Sequence, residues 1–322
     1  MESANVKNIL IRGKDTFVRE PKLIMKFYCP FFSQMNTYKK GNIFMVDGRV
    51  GHGGMFDRLK GAISVYAMSK IHQKDFYINF YYPFELQKYL MPNEYNWLID
   101  KNDIVYSYPY SRPLFLYGEC YHPTRLFKKR RGQAHFYYGY DSLSDINAKY
   151  GTDFEWGKLY RELFKPTPYL QQYIDLYQNE IGCDYMVIHT RFLNLLGDKV
   201  ETAINPELPA DEKTILMKQM LNKIEDLSAH NEMRIMLASD SMTFIEYVKR
   251  KKPDIYVVPG QVKHIDTAGA TNDAENIKMF IDYYLISGAK MVYNIVGEGM
   301  WPSAFPEYAA KIGDTSFNRV LV

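Results

Sequence analysis

Along this chain apolar and polar positions fall into blocks that read as strand, turn and helix in regular succession. Asn42 to Val46 (NIFMV) is a short apolar run ending on DGRVGHGG, the pattern of a strand that feeds a glycine-rich turn. From Asp57 the apolar residues Leu59, Ala62, Ile63, Tyr66 and Ala67 recur at helical spacing, and Phe76 to Phe80 (FYINF) reads as the next strand. A strand, a loop, a helix and a second strand in that order open a parallel sheet.

The C-terminal half repeats the unit. A helix through Leu170 to Glu180 leads to the strand Tyr185–His189, and Met217, Met220, Leu221, Ile224 and Leu227 mark an amphipathic helix. Arg234 to Ala238 (RIMLA) is a buried strand, Met242 to Lys249 a helix, and Ile255 to Val258 a third strand. Ile277, Phe280, Ile281, Tyr284 and Leu285 line a long helix before the strand Met291–Tyr293. This alternation predicts an α/β fold with a doubly wound parallel sheet. Pro83 to Lys165 shows no such period, and Pro166 and Pro168 bias the chain toward an extended junction. The predicted organisation is two Rossmann-like domains, 1–167 on the acceptor side and 168–322 binding the nucleotide, with a cleft between them.

Composition narrows the function. The chain has 322 residues, enough for two cores, and its 40 basic and 37 acidic residues nearly balance. Bulk attraction for nucleic acid is excluded as a binding mode, so an anion must be met locally, even with the basic run Lys128 to Arg131. Cys29, Cys120 and Cys183 form neither a disulfide framework nor a zinc motif. No stretch approaches the roughly 18 apolar residues of a membrane span, and the first twenty residues lack a signal peptide's apolar run. The expectation is a soluble cytoplasmic protein with no integral membrane segment. The 28 tyrosines, dense at Phe136 to Tyr140 and Tyr77 to Tyr82, suit either strands or the stacking of sugar rings and bases.

Ligands of parallel α/β sheets sit beyond the carboxyl ends of strands, which directs attention to the residues after each strand. Arg191 can present a fixed planar fork of charge to a diphosphate, and His189 can donate to the same phosphates or hold Arg191 in place. Asp240 can accept from ribose hydroxyls or guanine N–H groups, or cap the helix beginning at Ser241. In the GHGG loop, Gly51, Gly53 and Gly54 allow close backbone approach to an anion at the following helix N-terminus. Phe56 stands where a dinucleotide fingerprint wants its third glycine, which leaves a methyltransferase-like loop for S-adenosylmethionine as an alternative. No P-loop, no H-E-x-x-H and no Asp-x-Asp is present, so neither a metal nor a cofactor is expected. Lys263 and His264 are further candidates for meeting a leaving group's charge.

Four blocks in order carry a resemblance: GHGGMFDRLKGAISVYAMSKIHQKDFYI, MVIHTRFLNLLGD, RIMLASDS and DAENIKMFIDYYLISGAKMVYNIVGEGMWPSAFPEYAAKIG. Together they resemble the α1,2-, α1,6- and protein O-fucosyltransferase superfamily. The resemblance implies a GT-B fold, a nucleotide-sugar donor, a glycan or polysaccharide acceptor, and inverting, metal-independent transfer of fucose from GDP-fucose. It implies Arg191 at the β-phosphate, His189 near the pyrophosphate, Asp240 at the guanosine and Ser303 in a phosphate-binding loop. Asp57 stands before Arg58 where the superfamily commonly has asparagine. Among Asp57, Asp198 and Glu298 as bases for the acceptor hydroxyl, Asp57 is preferred because the glycine loop is expected to face the interdomain cleft. Another nucleotide-sugar as donor, or a glycan-binding protein without turnover, remains an alternative.

Overall fold

The structure is a computed structural model that describes residues 14–28, 38–108, 110–115, 132–198, 206–229, 232–260 and 272–322. Cys29, Cys120, Lys128 to Arg131 and Lys263 to Asp266 lie outside the described residues. The chain divides into two compact units, Met1–Lys165 and Pro166–Val322. Each carries its own four-stranded sheet.

The first unit runs α1 (Glu20–Phe27), β1 (Gly41–Val46), α2 (Met55–Ile71), β2 (Phe76–Phe80), β3 (Leu90–Pro92), β4 (Ser111–Phe115), β5 (Gln133–Tyr137), α3 (Leu143–Tyr150), α4 (Trp156–Leu163) and β6 (Phe164–Pro166). Its sheet has the order β2-β1-β5-β4 with every pair parallel. Strand β1 lies between two neighbours, which is why NIFMV is apolar at successive positions and not only at alternate ones.

Helix α2 lies where the helical spacing puts it, but it buries more than one face. Fourteen of its residues are buried, Arg58, Lys60 and Ser64 among them. The cover comes from the stretch after β5: Ser64 Oγ donates to the Tyr140 carbonyl at 2.9 Å, and Tyr66 donates to Glu162 at 2.8 Å. Close approach to the sheet is set by Gly61, where a Cβ would lie 2.8 Å from the Gly139 Cα and 2.9 Å from the Phe44 ring. Pro83 to Lys165, which has no readable period, thus supplies two strands of the sheet and the outer layer over α2.

The second unit runs α5 (Pro168–Ile181), β7 (Tyr185–Thr190), α6 (Ala210–Ala229), β8 (Arg234–Ser239), α7 (Met242–Lys251), α8 (Asp273–Ser287), β9 (Met291–Val296), α9 (Phe305–Gly313) and β10 (Ser316–Leu321), with the parallel order β10-β9-β7-β8. Alternate residues of β7 face opposite layers. Met186 and Ile188 join the core with Leu216, Met220 and Ile224 of α6 and Phe244 of α7, whereas the Tyr185 hydroxyl donates to the Leu285 carbonyl of α8. Helices therefore cover both faces, as a doubly wound sheet requires.

One expected strand is reduced. Ile255 to Val258 makes a single parallel bridge, Tyr256 to Met236, closed by two hydrogen bonds of 2.8 Å. Pro253 and Pro259 bound the segment, and the Ile255 N–H turns back to the Lys252 carbonyl, so the ladder has nowhere to extend. Strand β10, absent from the sequence pattern, is mostly exposed on the sheet edge, where no apolar run is needed.

Candidate functional site

In the second unit the loops after β7, β8 and β9 converge. Arg191 follows β7 directly and is half-buried, and its carbonyl accepts from the Trp301 N–H at 3.2 Å, which ties the Gly297–Ser303 loop to it. Asp240 accepts from the Phe192 and Leu193 N–H groups at 2.8 and 3.0 Å, one on each carboxylate oxygen. Leu193 sits at φ +56°, a region that costs a side-chain-bearing residue free energy, and this double hold keeps the turn there. Asp240 is thus a positioning group for the turn that carries Arg191.

Ser241 is fully buried and caps α7 by accepting from the Phe244 N–H at 3.0 Å. Its hydroxyl donates to Asp198, which also takes the Thr243 N–H at 3.0 Å and hydroxyl at 2.8 Å. Asp198 is spent on a helix start. Ser303 is buried and accepts from the Phe305 N–H at 3.3 Å, at the first turn of α9. Glu298 is exposed beside Gly299, whose φ of +73° favours glycine.

His189 has a defined polarity. Arg319 Nε donates to Asn294 Oδ1 at 3.3 Å, so the amide turns its nitrogen toward His189. That nitrogen meets His189 Nδ1 at 3.3 Å and the His189 carbonyl at 3.2 Å. An amide nitrogen only donates, so Nδ1 accepts and Nε2 carries the ring proton. Burial, then the neighbouring Arg191 charge, pushes the pKa down to about 3, which keeps the ring neutral. The end of β7 therefore offers a guanidinium and one ring N–H, both donors. Asn294 is fully buried on β9, and the sequence pattern gives no sign of its role.

In the first unit the loop after β1 gathers the glycines. Gly54 is the N-cap of α2, and Gly51 is exposed with nothing within 4 Å of where a Cβ would stand, whereas Gly48, at φ +78° and with Tyr82 at 3.1 Å, and Gly53 have a steric reason to be glycine. A Cβ on Gly53 would lie 3.1 Å from Asp57 Oδ2 and 3.5 Å from the Tyr138 hydroxyl. Asp57 Oδ1 pairs with Lys60 at 3.0 Å. Arg58 is buried and braces the loop, with Nε donating to the Gly53 carbonyl at 2.9 Å and Nη1 to the Tyr82 carbonyl at 3.2 Å.

Behind this loop lies a buried network with no signature in the sequence. Asp47, at the end of β1, accepts from the Arg49 N–H at 3.1 Å and side chain, from Tyr137 at 3.1 Å and from Tyr106 at 3.3 Å. The Arg49 guanidinium stacks 3.8 Å from the centre of the Tyr106 ring. Tyr28 bonds His135 Nδ1 at 2.7 Å, and His135 Nε2 meets Gln133 Oε1 at 2.9 Å. Burial, and the Arg49 charge after it, holds His135 down at about 3.

Among the described residues, no helix is long and apolar enough to cross a membrane. No family model and no curated protein matches the sequence. Solved structures do. NodZ alpha-1,6-fucosyltransferase soaked with GDP-fucose aligns at TM-score 0.55 and 15% identity, over 85% of this chain and 93% of that one. NodZ from Bradyrhizobium in selenomethionine form aligns at the same TM-score, over 84% and 92%. Arabidopsis thaliana FUT1, as a mutant in complex with GDP, aligns at 0.58 and 11% identity, over 94% of this chain and 73% of that one. The likeness shows that this α/β chain has a fucosyltransferase-like fold.

Proposed function

We propose that this protein is a GT-B glycosyltransferase that moves fucose from GDP-fucose to a glycan hydroxyl, with inversion and without a metal ion. The observation that carries the reading is the donor pair at the end of β7, Arg191 beside a neutral His189 whose proton sits on Nε2. A departing diphosphate presents only acceptor oxygens, so it calls for a charged fork and a fixed N–H, already oriented before the reaction. GDP-bound and GDP-fucose-soaked neighbours of the same fold support the choice of donor.

In this reading Arg191 meets the β-phosphate and His189 the pyrophosphate, while Asp240 holds the Arg191 turn and Ser241 the start of α7. Ser303 and the amides of its loop add donors. The first unit supplies Gly51, Gly53 and Gly54 for close approach, with Arg58 as the brace. The acceptor oxygen bonds to the anomeric carbon as that carbon's bond to the phosphate oxygen breaks, and the electron pair leaves with GDP. Asp57 takes the acceptor's proton as that bond forms.

Isothermal titration with GDP tests the reading. The wild-type protein should bind with a dissociation constant well below millimolar, and Arg191→Ala should weaken it about 100-fold, as befits two charge-assisted hydrogen bonds. Millimolar binding that is indifferent to Arg191→Ala would remove the basis of the proposal.

A further inference from the structure

The helix that opens the described chain turns apolar side chains outward. A single π turn, Asp15–Arg19, runs directly into α1, Glu20–Phe27. On the inner side Leu23 is buried in the core with Ile43, Met45 and Phe115, and Ile24 and Phe27 pack against the same cluster. Glu20 is buried as well and pairs with Arg112 of β4 at 3.7 Å, which holds the helix on the sheet. Phe17, by contrast, is 80% exposed, Met25 68% and Val18 41%. Phe17, Pro21 and Met25 recur at every fourth residue and so share one side of a helix, with Val18, Lys22 and Lys26 as the row beside them.

A phenylalanine and a methionine left in water forgo the burial that stabilises such side chains elsewhere in the unit. Nor are they scattered singly over the surface, since they stand within about two turns of one helix. Charge completes the pattern. From Lys14 to Phe27 the basic residues Lys14, Arg19, Lys22 and Lys26 outnumber the acids Asp15 and Glu20. Glu20 is turned inward to Arg112, whereas Lys14, Lys22 and Lys26 are exposed. The outer side of the helix therefore carries apolar residues flanked by ammonium groups on long apolar stems.

Whatever covers this side has to take up a convex apolar ridge and bring negative charge. A folded protein would need a groove of matching shape, whereas the headgroup boundary of a bilayer is fluid and admits such a ridge. Lysine stems then lie along the apolar layer with their ammonium groups at the phosphates. We propose that α1 and the turn before it form an interfacial helix that lies in the plane of an anionic lipid surface. Phe17, Val18 and Met25 insert, and Lys14, Lys22 and Lys26 meet the headgroup phosphates. This is attachment to a surface and not a span, and it is independent of the fucosyl-transfer reading.

Vesicle co-sedimentation of the full chain tests the proposal. Phosphatidylcholine vesicles with about 30% phosphatidylglycerol should bind the protein at about 50 mM salt, and pure phosphatidylcholine vesicles about tenfold more weakly. Raising the salt to about 500 mM should release most of the protein from the anionic vesicles, because screening shortens the reach of the lysine charges. Phe17→Ser with Met25→Ser should lower partitioning about tenfold or more, through the apolar area withdrawn from the interface. Lys22→Gln with Lys26→Gln should lower it about tenfold on the anionic vesicles alone. All four positions are exposed, so the thermal midpoint of each variant should match the wild type.

No binding to the anionic vesicles, or binding that neutral vesicles match and neither pair of substitutions alters, overturns the proposal. Light scattering supplies a further outcome. A wild-type dimer that Phe17→Ser with Met25→Ser converts to monomer would give this side of the helix to a second copy and overturn the lipid assignment. The lipid and salt dependence of the wild-type protein needs no substitution, so it decides the matter even where a variant fails to fold.

Discussion

The two units each place a histidine at or beyond the end of a central strand, and surround it differently. The His52 ring stacks on Tyr138 and leaves its Nε2 buried and unmet among the described residues, whereas His189 accepts from Asn294 and is left with an N–H. His189 is buried and His52 half-buried, both sit beside an arginine, and both are held at about 3. Burial and neighbouring charge therefore keep each ring neutral, and in His189 the partner on Nδ1 fixes what the ring can bind. A ring donor suits the oxygens of a diphosphate.

The property the two rings share gives the largest expected effect. A folded-state pKa near 3 lies below the unfolded value of about 6.5, so the unfolded chain takes up the proton first as pH falls. The stabilisation is complete above about pH 6.5 and is lost as pH falls toward 3, at about 1.4 kcal/mol per pH unit for each such histidine. With His52, His135 and His189 alike, unfolding near pH 5.5 should take up close to one proton per histidine. Calorimetric enthalpies in buffers of differing ionisation heat measure that uptake. His189→Gln should lower it by about one proton; an unchanged uptake would mean that His189 is charged in the folded protein.

The supports of the two loops differ as well. The β1 end rests on a buried carboxylate, and Asp47→Asn, which leaves the Arg49 charge in place, should lower unfolding stability by about 3 kcal/mol in a denaturant titration. A loss below about 0.5 kcal/mol, the usual range of an indifferent surface change, would show that the network carries little load. At the β7 end, Asn294→Asp strikes at polarity itself. A carboxylate in that place would accept from Nδ1–H and leave Nε2 as an acceptor, so GDP affinity should fall about tenfold, the worth of one hydrogen bond. Unaltered affinity would show that the His189 ring proton does not meet the nucleotide. The smallest effect is Ser241→Ala, which removes the α7 cap and should cost about 1 kcal/mol, read as a lower thermal midpoint.

How far the sequence reaches differs between the same two units. In the second, strands, helices and the candidate residues after them are legible because each apolar run is bounded by polar punctuation and packs against elements close to it in the chain. The exceptions are the exposed edge strand β10, which has no apolar run, and Ile255 to Val258, where apolar character is right but two prolines and a competing turn cut the ladder to one bridge. In the first unit the opening strand, loop and helix are legible, and Pro83 to Lys165 is not. Its strands β4 and β5 are short and its helices cover a buried partner, so the signal lies in pairing across the unit.

By itself the sequence determines the α/β class, the alternating order of elements and the short list in which Arg191, His189 and the GHGG loop stand out. Local spacing suffices for these, because periodicity and turn residues act over a few positions. Only the tertiary structure decides that Asp240 grips the turn after Arg191, that Asp198 belongs to a helix start, and that Asn294 sets the polarity of His189. Such roles depend on which donor meets which acceptor across about 40 to 105 positions of chain, a matching of directions in space that residue order does not contain.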